Sequence, residues 1–255
     1  MKYKLTDETK NFCGKVLHRI VCVTAFASVA VGDTGGWVES EKNLSQSGDA
    51  WVSGNAKVSG YAWVYCNAKV SGDAWVSGNA KVSGDAWVSG NAEVSGNAKV
   101  YGDAKVYGNA KVYGDAWVSG DAWVSGNAKV SGYAWVYGNA KVYGNAKVYG
   151  DAKVYGDAEV SGDAEVYGNA KVSGNAKVSG DAKVSKSSDY AVYKNTWSSM
   201  RYFTWTRSND KWHVGCFFGT GEELIEKAYK DSKLSGDCYK AVVDMRKKLT
   251  ELESA

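Results

Sequence analysis

The chain has 255 residues and a formal net charge of +3. This length is enough for one elongated domain with small terminal pieces, and so small a net charge gives no indication of nucleic-acid binding. The five cysteines are scattered and form no CxxC motif. Their pattern argues against a disulfide framework and favours a reduced, cytoplasmic protein.

Residues 1–47 precede a long repeat and are expected to form an N-terminal cap, because an open solenoid exposes the strand edges and the core of its first coil. Within them, Ile20–Val31 is a mostly apolar run that is too short to span a membrane. It resembles the core of a signal peptide, but the segment before it includes the acidic Asp7 and Glu8. We therefore expect a buried strand at the end of the solenoid instead.

Residues 48–185 repeat one six-residue unit, Gly-Asn/Asp-Ala-Xaa-Val-Ser/Tyr, 23 times in unbroken register. Such a fixed period is typical of a solenoid. Ala and Val are separated by one residue, so they lie on the same side of a short strand, while Xaa and Ser/Tyr face outward. Gly followed by Asn or Asp predicts a tight corner, because both residues adopt left-handed backbone angles at low cost.

The departures from the unit agree with this interpretation of the corners. Cys66 replaces the glycine once, but it is followed by Asn67. Tyr61 and Tyr133 replace Asn/Asp, but each follows a glycine. No corner therefore loses both of its permissive residues.

Three units per turn predict a narrow, triangular, 18-residue coil. Residues 48–70 recur at 120–142 with a single difference, and this 72-residue offset equals four such turns. With strands about 4.8 Å apart, roughly 7–8 coils give a rod about 35–40 Å long. The pattern Val-Xaa-Gly-Asn/Asp-Ala-Xaa resembles the hexapeptide repeat of left-handed parallel β-helix proteins, and the resemblance implies that all-β solenoid fold and its left-handed coil.

Sorting the outward Xaa residues by an 18-residue coil gives three faces. The first face carries every eighteenth residue from Trp51 to Lys177, the second from Lys57 to Lys183, and the third from Trp63 to Lys171. Trp and Lys alternate on the first six coils of the first face, so each Lys is expected to lie over its Trp neighbours in a cation–π ladder. The second face is mostly polar.

The third face is the most aromatic and, counted by its Xaa residues, the most basic. Aromatic and cationic side chains on a rigid sheet suit contacts with a sugar, a nucleotide or a protein. The alternative is that Tyr and Trp simply suit strands and shield a thin core. The candidate binding residues are Trp63, Tyr65, Lys81, Lys99, Tyr101, Trp117, Trp135, Tyr137, Lys153 and Lys171.

Residues 186–255 are expected to form a small α+β C-terminal module. Alternating apolar residues on both sides of Ser208-Asn209-Asp210 predict a β-hairpin. The capping box Thr220-Gly221-Glu222-Glu223 predicts a helix over about 221–231, and Asp237 is expected to cap a second helix. The apolar stripe of that second helix is Cys238, Ala241, Val242, Met245, Leu249 and Leu252. The module could cap the rod, oligomerise it or bind a partner.

Many hexapeptide-repeat proteins are acyltransferases with a histidine base, and a related group binds zinc through three histidines. This chain has only His18 and His213, both outside the repeat. In a strand, His213 and Cys216 point to opposite sides, so we expect a packed Cys216 beside an outward His213. We predict no catalytic residue, no metal site and no cofactor.

Both ends of the chain resemble a family of uncharacterised repeat proteins common in phages and prophages. The resemblance rests on motifs such as Gly35-Gly36-Trp37-Val38-Glu39 near the N-terminus, and on Val214-Gly215-Cys216-Phe217 and Gly219-Thr220-Gly221-Glu222-Glu223 near the C-terminus. It implies no established activity, and its setting suggests a scaffold or interaction protein in the cytoplasm of a bacterial host. Together with the missing catalytic histidines and the short apolar run, it leads us to expect neither enzymatic activity nor membrane association.

The partner expected from this resemblance is a host macromolecule, above all a host protein, and interference with a bacterial defence system is one purpose. A glycan- or nucleotide-binding module that uses the third face is an alternative, and an acyltransferase-like enzyme is another. Homo-oligomerisation stays open, because related β-helices often trimerise whereas bulky residues on all three faces oppose close packing.

Overall fold

The computed structural model describes residues 1–254. At the N-terminus, β1 (Tyr3–Phe12) and β2 (Lys15–Cys22) form an antiparallel hairpin. The third strand, β3 (Thr34–Val38), is antiparallel to β2, and it pairs in parallel with the first coil of the repeat. The N-terminal segment therefore continues one sheet of the rod and covers its end.

The strand predicted across the apolar run Ile20–Val31 is wrong beyond Cys22. Turns follow β2, and left-handed backbone at Ala27 (φ 42°) and Gly32 (φ 92°) reverses the chain before β3 begins. The Phe26 ring packs edge-on against the Trp51 ring, with centroids 5.5 Å apart. The apolar side chains of this run thus cover the rod as a folded loop rather than as a strand.

The repeat units form a series of two-residue strands, from β4 (Trp51–Val52) to β26 (Lys183–Val184). Each strand pairs in parallel with the corresponding strand of the next coil, as Trp63 does with Lys81. Three parallel sheets run along the rod as a result. The predicted β-solenoid, with its 18-residue coil and about eight turns, is confirmed.

The core of the rod is thin and uniform. Every Ala and Val of the repeat, from Ala50 to Val184, is fully buried. The corner glycines have φ between 60° and 72°, and Cys66 adopts the same left-handed conformation with φ 59°. The corner prediction is confirmed at the glycine slot, for a steric reason: a Cβ built on Gly84 would lie 2.8 Å from the backbone N of Gly102. It is wrong for the Asn/Asp slot, because no Asn or Asp of the repeat has a positive φ.

The first coil has free carbonyl groups, because each coil accepts hydrogen bonds from the coil before it. Backbone and side-chain groups of the N-terminal segment supply the missing donors, and among the backbone groups Trp37 N donates to Ala56 O at 2.9 Å and Glu39 N to Val58 O at 3.0 Å. Lys2 Nζ donates to Ala50 O at 2.7 Å, and the buried Asn43 donates through Nδ2 to Gly60 O and Ala62 O at 3.0 and 2.9 Å. Burial lowers the pKa of Lys2, and the nearby Asp49 opposes that shift.

The last coil has free N–H groups, because no further coil follows it to accept their hydrogen bonds. The C-terminal module supplies oxygen acceptors for them. The pairs are Lys171 N to Ser187 Oγ, Ser173 N to Tyr190 OH, Lys177 N to Thr204 Oγ1, Lys183 N to Ser208 Oγ and Ser185 N to Asp189 Oδ2, at 2.6–3.3 Å. The sequence left open whether this module caps the rod, oligomerises it or binds a partner. These hydrogen bonds show that it caps the rod.

The C-terminal module consists of a four-stranded antiparallel sheet and two helices. Its strands are β27 (Tyr190–Lys194), β28 (Tyr202–Thr206), β29 (Lys211–Val214) and β30 (Phe217–Gly219), and its helices are α1 (Gly221–Asp231) and α2 (Lys233–Ser254). The predicted hairpin is confirmed as β28–β29. The predicted first helix and its capping box are also confirmed, since Glu223 N donates to Thr220 Oγ1 and Thr220 N donates to Glu223 Oε2.

Two predictions for the second helix are wrong. It begins at Lys233, so Asp237 lies inside it and accepts a hydrogen bond from Tyr229 OH at 2.7 Å. The predicted apolar stripe is not the buried side either. The helix packs on the sheet through Tyr239, Val243 and Arg246. Each of these residues follows a member of the predicted stripe by one position, which corresponds to a rotation of about 100° around the helix axis. In the stripe, Cys238 and Val242 are half-buried, and Ala241, Met245, Leu249 and Leu252 are exposed.

Candidate binding face

The third face is the outer surface of a seven-stranded sheet, which runs from β6 (Trp63–Val64) to β24 (Lys171–Val172). The seven Trp and Lys residues of the predicted set lie on strands of this sheet, and Tyr65, Tyr101 and Tyr137 each follow such a strand by one position. All ten side chains are exposed or half-buried, while the Ala and Val residues between them are buried. The 18-residue coil therefore brings the whole set to one surface.

Two tryptophans and two lysines form a continuous stack at the centre of this face. The rings of Trp117 and Trp135 are parallel within 3°, with centroids 4.9 Å apart. Lys99 Nζ lies 4.2 Å from the Trp117 ring centroid, and Lys153 Nζ lies 4.7 Å from that of Trp135. Both indole rings are thus in contact on their two sides, within a ladder of Lys99, Trp117, Trp135 and Lys153.

A second column on the same face is formed by tyrosines. Tyr137 and Tyr155 stack with centroids 5.0 Å apart, and Tyr101 packs edge-on against Trp117 at 6.0 Å. Burial raises the pKa of the Tyr137 phenol, and the neighbouring Tyr155 raises it further. Tyr155 is outside the ten candidate residues, but it occupies the same slot as Tyr137 one coil later, so the repeat places it on this face as well.

The N-terminal end of the third face has a separate aromatic cluster. Trp63 and Tyr65 stack with centroids 4.0 Å apart, and Trp63 is 40% exposed. Tyr61 projects from the adjoining corner of the same coil. Tyr133 has the equivalent corner position beside Trp135. Their positions in the repeat place both corner tyrosines beside the third face, although neither is among the ten candidate binding residues.

The charge of the third face is lower than its lysines suggest. Lys81 and Lys171 are exposed, and together with Lys99 and Lys153 they provide four positive charges. Aspartates at the corners on both sides of the face offset them. These are Asp85, Asp103, Asp115, Asp121, Asp151 and Asp157. The mixed charge argues against a polyanion as the ligand of this face.

Lysines of the other two faces contact aromatic or acidic neighbours. On the first face, Lys105 and Lys141 lie 5.1 and 5.9 Å from the Trp123 ring centroid, which confirms the predicted cation–π contacts at Trp123. On the second face, Lys147 pairs with Glu165 at 2.9 Å, and this contact lowers the pKa of Glu165. Exposed pairs of this kind contribute little to stability, about 0–1 kcal/mol each.

The expected arrangement of His213 and Cys216 is wrong. Gly215 has φ 60° and ends β29 at Val214, so strand alternation does not reach Cys216, which is exposed. His213 is half-buried against the rod, with Nδ1 2.7 Å from Ser179 Oγ and Nε2 3.1 Å from Gly215 O. Burial and the nearby Lys177 lower the pKa of His213. Both ring nitrogens therefore have structural partners.

A cleft of about 520 Å³ lies between the β28–β29 hairpin and α2. Arg246 stacks over the Trp205 ring, with its guanidinium carbon 4.6 Å from the centroid. Arg246 and Arg207 both pair with Glu253 near the end of α2. Within residues 1–254, no group of three or more His, Cys, Asp or Glu residues has an arrangement that could hold a metal ion.

Comparison with known proteins places the repeat in the β-solenoid class. A family model described as the YdcK beta solenoid repeat matches residues 104–120. This segment lies in the middle of the rod and agrees with the observed coil. A search of curated proteins found no match to the chain. As far as the structure describes the chain, none of its helices is long and apolar enough to cross a bilayer.

Proposed function

We propose that this protein is a non-enzymatic scaffold that binds a host protein through the third face. The proposal rests on the ladder of Lys99, Trp117, Trp135 and Lys153. Since neighbours occupy both sides of the two indole rings, what the ladder offers to a partner is ring edges and lysine side chains. These suit a broad protein surface, whereas a sugar or base would need a free ring face to stack on.

The rigidity of the rod supports the same proposal. Each ladder residue lies on a two-residue strand whose Val is fully buried and whose backbone pairs with the coils on either side. A rigid surface loses little conformational entropy when a partner binds. The capped ends also favour a partner that approaches the side of the rod rather than its ends.

The phage or prophage origin is a further part of the proposal, and it is supported by the resemblance of both termini to that family. In this setting the protein acts in the cytoplasm of a bacterial host, where interference with a defence system is a suitable purpose.

The test replaces Trp117 and Trp135 by Lys, the residue that most of the repeat units already carry in this slot. The matched control replaces Trp87 and Trp123 on the first face by Lys. Far-UV circular dichroism checks that all variants keep the rod. Each protein is then immobilised, exposed to host lysate and analysed by quantitative mass spectrometry.

We expect a partner that is recovered by the wild type and by the first-face control, and that falls at least tenfold with the third-face variant. If all three proteins recover the same set of proteins in the same amounts, the third face is not the binding surface.

A further inference from the structure

Two tyrosines project from the edge between the second and third faces. Tyr61 is 86% exposed and Tyr133 is 63% exposed. They occupy one corner column, four coils apart, which places them about 19 Å from each other along the rod. The corresponding corners of the other two edges carry only Asn and Asp, so aromatic corners occur on this edge alone.

The corners between the two tyrosines form a polar floor. Asn79 Nδ2 donates to Asn97 Oδ1 at 3.0 Å, and Asn97 Nδ2 donates to Asp115 Oδ1 at 3.0 Å. This ladder orients the side chains and leaves the second carboxylate oxygen of Asp115 and a second amide hydrogen of each Asn for other partners. The stretch of edge between the two tyrosines, called the trough below, is thus a polar row with a projecting tyrosine at each end.

The sides of this trough are also polar. Half-buried Ser77 and Ser95 border the floor towards the second face, and the exposed Lys81 borders it towards the third. Beyond Tyr61, the trough continues into a cleft of about 480 Å³ between the first coil and the N-terminal segment. Lys42 and Glu39 line that cleft.

The chemistry of the trough selects among ligand classes. The backbone groups of the corners are already paired between coils, as Asn97 N is with Gly114 O at 2.8 Å, so an extended peptide cannot add to the edge as a strand. The floor has no apolar pocket for peptide side chains, and Asp115 would repel a phosphate backbone. Amides, a carboxylate, hydroxyls and exposed phenol rings instead match the hydroxyl groups and the apolar ring faces of a sugar.

We propose that this trough binds an extended, β-1,4-linked oligosaccharide, with one sugar ring stacked on Tyr61 and another on Tyr133. The in-register coils keep the edge straight, so a ligand that contacts both tyrosines has to be extended. Hydroxyl groups between the two stacked rings bond to Asn79, Asn97 and Asp115. This site is separate from the ladder of the third face, and it does not depend on the binding of a host protein there.

The test measures the affinity of cello- and chito-oligosaccharides from two to six rings by isothermal titration calorimetry. Tyr61→Asn and Tyr133→Asn each restore the residue type usual at this corner, so the fold is expected to tolerate them. Tyr143→Ser, which changes an exposed tyrosine on the first face, is the matched control. The α-linked maltohexaose tests the requirement for an extended chain.

We expect affinity to increase with length until the chain reaches both tyrosines. Each tyrosine variant then weakens the longest oligomer at least tenfold, while Tyr143→Ser leaves its affinity unchanged. Maltohexaose is expected to bind at least tenfold more weakly than the longest β-linked chain. The proposal is overturned if no β-1,4-linked oligomer binds, if binding does not depend on length, or if it survives the loss of both tyrosines.

Discussion

Cys66 is a strained corner residue, and its replacement by glycine is expected to stabilise the rod. All other corners of the repeat have glycine at this slot, with φ between 60° and 72°, whereas Cys66 has φ 59° with a side chain. Left-handed backbone costs a residue with a Cβ about 1–2 kcal/mol, and glycine loses about 0.5–1 kcal/mol more backbone entropy on folding. The expected gain for Cys66→Gly is therefore about 0.5–1 kcal/mol.

The assay is thermal unfolding followed by far-UV circular dichroism, with a reducing agent present. For a chain of this size, a gain of about 0.5–1 kcal/mol raises the midpoint by roughly 1–4 °C. The second copy of the same segment provides a reciprocal test at Gly138. A Cβ there would lie 3.1 Å from the backbone N of Gly156, so Gly138→Cys is expected to lower the midpoint by at least the same amount.

Cys66→Ser separates backbone strain from the loss of the thiol. It keeps the Cβ, and with it the left-handed strain, so its midpoint is expected to stay at the wild-type value. The reasoning is refuted if Cys66→Gly leaves the midpoint unchanged, or if Cys66→Ser raises it as much as glycine does.

Three further predictions concern the ends of the rod. Thr204→Val removes the acceptor of the Lys177 N–H and is expected to cost about 1–3 kcal/mol, which a lower urea midpoint would reveal; Thr204→Ser should retain most of the stability. Lys2→Met removes the donor to Ala50 O and is expected to expose the first coil, measured as faster amide hydrogen exchange there than in the middle of the rod. The folded-state pKa of His213 lies below its ordinary value of 6.5, so the unfolded chain takes up that proton first, and stability should fall as the pH drops below about 6.5. His213→Gln should remove this part of the pH dependence, and an unchanged difference between pH 5 and 7 would contradict it.

The repeat could be predicted from the sequence because its physics is local. A corner forms wherever glycine permits a left-handed backbone angle, and the spacing of Ala and Val sets the side of the strand that is buried. The 72-residue recurrence agreed with an 18-residue coil, which sorted the outward residues into the three observed faces. The same sorting places the corner residues Tyr61 and Tyr133 beside the third face, but only the structure gives their exposure.

The terminal segments were harder to predict, because their structure depends on partners distant in sequence. The apolar run after Cys22 folds into a loop over Trp51, and α2 packs through Tyr239 rather than through its most apolar stripe. In both places the apolar residues predicted that the segment would pack against the rest of the protein. They did not predict the conformation of the first segment or the buried side of the helix.

The sequence by itself determined which residues of each unit are buried and which face outward, because this follows from the six-residue period. The 18-residue coil, and with it the membership of each face, was supported by the 72-residue recurrence and is confirmed by the strand pairing. The left hand of the coil stays a prediction from the resemblance. Only the tertiary structure decided which groups satisfy the ends of the rod, since Lys2 and Asn43 at one end and Thr204 at the other reach it from outside the repeat. It also decided which aromatic surfaces are free, because neighbouring coils cover the Trp117 and Trp135 rings whereas the corner rings of Tyr61 and Tyr133 project into solvent.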